Sequence, residues 1–177
     1  MRRVLYRVAA SLDGFIAGPN GEIDWILPDP TVDFAALYAN VDTVLLGRRT
    51  YELTLQPGAP PWAKDWRVYV CSQTLDAEQH AGVTVVSGNI GATVAALRAE
   101  SGRDIWLFGG GSLFASLLAA DLVDQVEVAI MPVLLGCGTP LVSPDAPRSR
   151  LTLTRSNASP SGIVNLQYEV QHAEQSG

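Results

Sequence analysis

Ile105-Trp106-Leu107-Phe108-Gly109-Gly110-Gly111-Ser112 is the stretch on which the fold turns. An apolar run, three glycines and a serine suited to cap a helix describe a buried strand that reverses tightly into a helix ending near Ala120. The same unit stands earlier in the chain. Thr43 to Leu46 is a short apolar run, Gly47 follows, and Arg48 to Leu55 is rich in helix formers until Pro57-Gly58 stops it.

Outward from these two units the alternation continues. Val4, Tyr6 and Val8 mark a first strand over Arg3 to Ala10, followed by an irregular stretch from Ser11 to Pro30. Phe34, Leu37, Tyr38 and Val41 stand at helical spacing behind a Thr31 cap, which predicts a helix of about ten residues. Arg67 to Cys71 and Val83 to Ser87 read as strands, and Ile90, Val94 and Leu97 form a helical stripe closed by Gly102. After Asp124 the pattern turns to strands alone: Gln125 to Met131, Leu151 to Ser156 and Ile163 to His172, the last two joined through Asn157 to Gly162. This order predicts an α/β fold: a mixed, mostly parallel sheet with helices on both faces and a C-terminal antiparallel hairpin. No linker or repeat divides residues 1–177, so one domain is expected, with 173–177 as a frayed tail.

Composition narrows the function. With 47% hydrophobic and 17% charged residues the chain is too apolar for disorder and too interrupted by charge for a membrane span. A net charge of −6 repels polyanions, which argues against a nucleic-acid partner. Cys71 and Cys137 are the only two cysteines and neither stands at metal-ligand spacing, so neither a disulfide framework nor a metal site is expected. Arg7 and Asp13 break the apolar run that an export signal needs, and a cytoplasmic location is expected.

Two segments carry candidate chemistry. Consecutive glycines at a helix start let main-chain N–H groups approach a phosphate unobstructed, as Gly109 to Ser112 would, although the spacing is not G-x-G-x-x-G and a plain tight turn is the alternative. Gly47-Arg48-Arg49-Thr50-Tyr51-Glu52 offers a hydroxyl and two guanidiniums at a second strand end; solvated arginines beside a Thr50 cap are the alternative there. Two phosphate sites at two strand ends suit one extended ligand.

Val8 to Ala17, Trp25, Gly47 to Glu52, Cys71-Ser72, Phe108 to Ser112 and Pro132 to Gly136 occur in the order of the dihydrofolate reductase superfamily. The chain resembles most the branch of the C-terminal reductase domain of the bifunctional riboflavin biosynthesis protein, from the first strand to about Val142. The resemblance implies a dihydrofolate reductase-like fold that binds NADPH and passes hydride to a small pteridine- or pyrimidine-like heterocycle. A ribosylaminouracil phosphate of riboflavin synthesis is an alternative substrate, and a non-catalytic NADPH-binding module an alternative role. By the same resemblance Ala10 and Ile16 line the nicotinamide pocket, and Gly47 and Thr50 meet the cofactor phosphates. Arg48, Arg49 and Ser72 would take the 2′-phosphate, and Gly109, Gly110, Gly111, Ser112 and Leu113 the pyrophosphate. An acid shortly after the tryptophan contacts substrate in dihydrofolate reductases, and Asp29 and Asp33 both lie in that region. Asp13 and Asp33 are the candidate catalytic acids, and Asp13 with Trp25 the further substrate-side residues. Asp13 also reads as a turn carboxylate, and Trp25 as a loop anchor. The branch implies a homodimer.

Overall fold

The structure, a computed structural model, describes residues 1–30, 32–56 and 62–172. Its elements are β1 (Val4–Ser11), β2 (Phe15–Ala17), α1 (Phe34–Tyr38), β3 (Val41–Gly47), α2 (Arg48–Thr54), β4 (Arg67–Cys71), β5 (Thr84–Val86), α3 (Ile90–Ala99), β6 (Asp104–Gly109), α4 (Gly111–Ala119), β7 (Gln125–Met131), β8 (Thr139–Pro140), β9 (Leu151–Ala158) and β10 (Val164–Val170). Eight strands form one sheet in the order β5-β4-β3-β6-β1-β7-β10-β9, and β2 pairs with β8 in a separate ribbon. Neighbours from β5 to β7 run parallel, while β10 is antiparallel to both β7 and β9. The expected mixed sheet with a closing hairpin is present.

Alternation along each central strand sends side chains to two cores. On β6, Ile105 and Leu107 join Val94 and Leu97 of α3 and Leu113, Phe114 and Leu117 of α4. The intervening Trp106, with Phe108 packed beside it, meets Tyr51 of α2 and Tyr38 of α1 on the opposite face. Helices thus cover both faces of the β3–β6 half, and the centres of β3 and β6 are apolar on both sides.

Local chemistry shifts some expected boundaries. The first helix is five residues, because Asp33 caps it by accepting from the Ala36 N–H at 3.0 Å, and Val41 opens β3 instead of continuing the helix. The proposed Thr31 cap, the Pro57-Gly58 stop and the 173–177 tail lie outside the described residues. Ser112 does not cap α4; Gly110 occupies that position with no side-chain bond, and Ser112 lies within the first turn. The β2–β8 ribbon was not expected, since three- and two-residue strands leave no periodic signal.

At the amino ends of the strands a buried arginine ties the sheet together. Arg2 is 3% exposed, yet its guanidinium pairs with Asp42, donates to Thr43 Oγ1 at 2.6 Å and donates to the Arg103 carbonyl at 2.5 Å. Asp42 in turn accepts from the Arg103 N–H at 2.7 Å, which knits β1, β3 and the approach to β6. Removing the cation strands a half-buried carboxylate, so Arg2→Ala should lower stability by about 3 kcal/mol in urea denaturation; a loss below about 1 kcal/mol would show that the network is dispensable.

Candidate active site

The two glycine turns lie against one another because β3 and β6 are parallel neighbours, with Leu46 opposite Gly109. The facing glycines leave ordinary van der Waals spacing between the turns, and the steric bar is at Gly111 against β8. Gly109 has φ +143°, a conformation open to glycine, and its peptide to Gly110 is cis. A Cβ on Gly111 would lie 2.8 Å from the Pro140 carbonyl oxygen, and one on Gly47 would lie 3.9 Å from the Gly109 oxygen. Thr50 Oγ1 reaches the same place, 3.5 Å from where a Gly110 side chain would begin. The result is one groove bordered by Gly47, Thr50 and Gly109 to Leu113. The nine-residue α4 has no side-chain cap, which leaves the first-turn N–H groups of Gly111, Ser112 and Leu113 facing an anion if one binds.

The groove continues past two arginines. Arg48 donates through Nε to Glu52 at 2.7 Å and through Nη1 to Thr74 Oγ1 at 2.5 Å, using only part of its five-donor fork. Arg49 is exposed and makes no ion pair or hydrogen bond among the described residues. Ser72 is buried at the end of β4, where its Oγ accepts from the Thr74 and Leu75 N–H groups, and Ser72 and Thr74 border the groove. At seven residues α2 is short, so the guanidiniums, not a helix dipole, supply the positive charge at this end.

At the other end, the expected residues divide. Ile16 borders the groove, as do Asp29 and Asp33. Ala10 does not: it is fully buried in the core beneath α4, and the alternation of β1 puts Ala9 on the groove instead. Trp25 also lies off the groove lining, its indole N–H donating at 2.9 Å to the Glu22 carbonyl in its own loop. The bond holds Trp25 within its own loop, and the residue belongs to neither core cluster. Asp33 spends one oxygen on the α1 cap, and Asp29 is half-buried beside the groove.

Asp13 is a latch. Its carboxylate accepts from Ser11 Oγ at 2.6 Å, from Gly136 N–H at 2.7 Å and from Leu135 N–H at 3.1 Å. The loop so held leads into β8, where Thr139 pairs with Ala17, and a Cβ on Gly138 would sit 2.1 Å from the Ala17 oxygen. Asp13 thereby fixes the wall that carries Ile16 without bordering the groove itself. The turn-carboxylate reading is nearer the geometry, although the amides it binds lie across the loop and not in its own turn.

One feature of the groove floor escaped sequence reasoning. Arg7 and Glu127, directly paired in register on β1 and β7, form a two-point ion pair with Nε to Oε2 at 2.6 Å and Nη2 to Oε1 at 3.2 Å. Both border the groove. They are far apart in sequence, and each looks like an ordinary outward-facing charge on an alternating strand. Among the described residues, no group of three His, Cys, Asp or Glu side chains converges to hold a metal ion.

Residues 2–165 match the family model described as the RibD C-terminal domain. The uncharacterized protein YyaP of Bacillus subtilis (strain 168) is 34% identical over 178 residues, covering 94% of each chain. A candidate riboflavin biosynthesis protein from Shewanella sp. PV-4 has a TM-score of 0.83 at 28% identity, over 96% of this chain and 99% of that one. A dihydrofolate reductase from Enterococcus faecalis, complexed with NADP(H), shares the fold with a TM-score of 0.68 at 20% identity, over 98% of this chain and 97% of that one. The chain belongs to the RibD C-terminal domain family.

The latch has a pH signature. The Ser11 hydroxyl is the largest influence on the Asp13 carboxyl; desolvation opposes it, and the Gly136 and Leu135 amides add to it, so the carboxyl is lowered to about 2. A carboxyl depressed in the folded state contributes stability above its unfolded value, near 4, and loses it as pH falls through the folded value. A carboxyl-carbon NMR titration of Asp13 should therefore show a midpoint near 2, with the Leu135 and Gly136 amide shifts following it. A midpoint near 4 would mean the latch is open in solution.

Proposed function

We propose that the protein is an NADPH-dependent reductase that transfers hydride to a small pyrimidine- or pteridine-like heterocycle, acting in the cytoplasm as a homodimer. The observation that carries this reading is the contact between the two turns, which joins a glycine-lined anion cradle and a pair of arginines in one groove. Membership of the RibD C-terminal domain family supports a reductase with a pyrimidine-type substrate.

The donor set suits the cofactor. The amides of Gly111, Ser112 and Leu113, with the Thr50 hydroxyl, would hold the pyrophosphate; Gly109 and Gly110 allow its close approach, and Gly47 keeps the facing turn clear. Arg49, the remaining donors of Arg48 and the Ser72 hydroxyl would take the 2′-phosphate, a charge-assisted contact that NADH lacks. When bound, the nicotinamide supplies the hydride. Ile16 and Ala9 would border its ring and exclude water, held in place by the Asp13 latch. Asp29 and Asp33 both remain expected substrate-side acids, with one Asp33 oxygen engaged in the α1 cap.

The homodimer reading draws on β9. All eight of its residues are exposed, with Leu153 at 51% and Leu151 at 42%, and it pairs on one side only, with β10. A second copy along this edge would cover an otherwise unprotected strand.

The cofactor assignment is tested by replacing Arg48 and Arg49 together with alanine. NADPH affinity should fall at least about tenfold while NADH affinity changes less than about threefold, since only the former loses charge-assisted bonds. Equal losses for both would contradict the 2′-phosphate assignment. Binding without oxidation of NADPH by any pterin, pyrimidine or ribosylaminopyrimidine phosphate would favour the non-catalytic module.

A further inference from the structure

The Arg7–Glu127 pair is expensive where it stands. Its side chains are only 16% and 19% exposed, beneath α1 and beside Trp106. Partly buried pairs of this kind are often no more stabilising than apolar residues of the same shape. Stability alone is a weak reason to have them on the groove floor.

The neighbouring residues indicate a use. Glu127 has four lone-pair positions, of which Arg7 occupies one on each oxygen; no other donor among the described residues is bonded to it. Ala9 and Ala129, directly paired in register, follow Arg7 and Glu127 by one pleat on the same face. Two residues of strand advance about 6.6 Å, roughly the width of a one- or two-ring heterocycle. The alanines make a small-residue floor in the groove that Ile16 also borders, and Glu127 lies one pleat along it. Tyr38, stacked on Trp106 with ring centroids 4.5 Å apart, borders the same space. The aromatic wall on one side strengthens a hydrogen bond made to a carboxylate beside it, while Gln167 and then Arg155, across the register on β10 and β9, border the groove on the other.

We infer that Glu127 is the substrate-anchoring acid of the groove, a lone pair that Arg7 leaves open accepting from an N–H group on the edge of an amino-substituted pyrimidine ring that lies over Ala9 and Ala129. Arg7 fixes the carboxylate by its two-point contact and donates Nη1 to the Leu37 carbonyl at 2.7 Å, so the acid cannot swing away. This inference rests on the reductase reading for its substrate class. It differs from that reading in assigning recognition to an acid on the sheet, not to Asp29, Asp33 or Asp13.

The probe is 2,4-diaminopyrimidine, with unsubstituted pyrimidine as the control that lacks the N–H donors, both titrated against tryptophan fluorescence. Wild-type protein should prefer the diamino compound by at least about tenfold, the scale of charge-assisted hydrogen bonds. Glu127→Gln should abolish most of that preference while leaving NADPH affinity within about twofold. Because Glu127→Gln disturbs a half-buried pair, Arg7→Met/Glu127→Leu serves as a second variant that leaves no unpaired charge, and it should lose the preference equally. Retained preference in either folded variant, or no preference in the wild type, would overturn the assignment. Failure of NADPH to bind wild-type protein that still selects the diamino compound would overturn the reductase reading and leave the Glu127 anchor standing.

Discussion

The site depends on one constraint, the parallel pairing of β3 with β6. Parallel neighbours end at the same edge of a sheet, so the turns that follow them emerge side by side. Gly47 and Gly109 to Gly111 then leave the space between the turns clear of side chains, and a side chain on Gly111 would strike the Pro140 oxygen of β8. From that contact follow the open first turn of α4, the placement of Thr50 between the turns, and a groove continuous from the arginines to Ile16. Neither turn would make an extended ligand site without the other.

The remaining structure holds this edge steady from two directions. At the amino end, Arg2 and Asp42 bind β1, β3 and the segment before β6 into one unit, which sets the relative height of the strands. At the carboxyl end, Asp13 grips the loop after β7, and the β2–β8 ribbon closes beside the glycine turn. Both devices use charge, but in different settings: Arg2 is buried, where an unmatched partner is costly, whereas Asp13 is exposed and gains from three converging donors.

Much of this was legible in the residues. Arg67–Cys71 and Gln125–Met131 were bounded correctly because β-branched runs end abruptly at turn residues. The two strand–glycine–helix units stood out because glycine punctuates apolar runs so strongly. What escaped was of three kinds. Gly110 displaced Ser112 as the cap of α4, since a turn pressed against Pro140 decides the start of the helix, not the best local capping residue. Ala9, not Ala10, borders the groove because strand phase is set by the pleat within the whole sheet, and a one-residue shift reverses the face. Glu127 leaves no signal in the sequence because its partner Arg7 lies on another strand and only the β1–β7 register joins them. Non-local pairing, not propensity, separates the readable part from the rest.

The joint action of the two turns is tested most directly by hydrogen–deuterium exchange with and without NADPH. Peptides covering Gly47 to Thr50 and Gly109 to Leu113 should slow together, at the same half-saturating cofactor concentration, while β9 exchanges unchanged. Slowing at only one turn, or at neither, would contradict the account of a single cofactor site built from both.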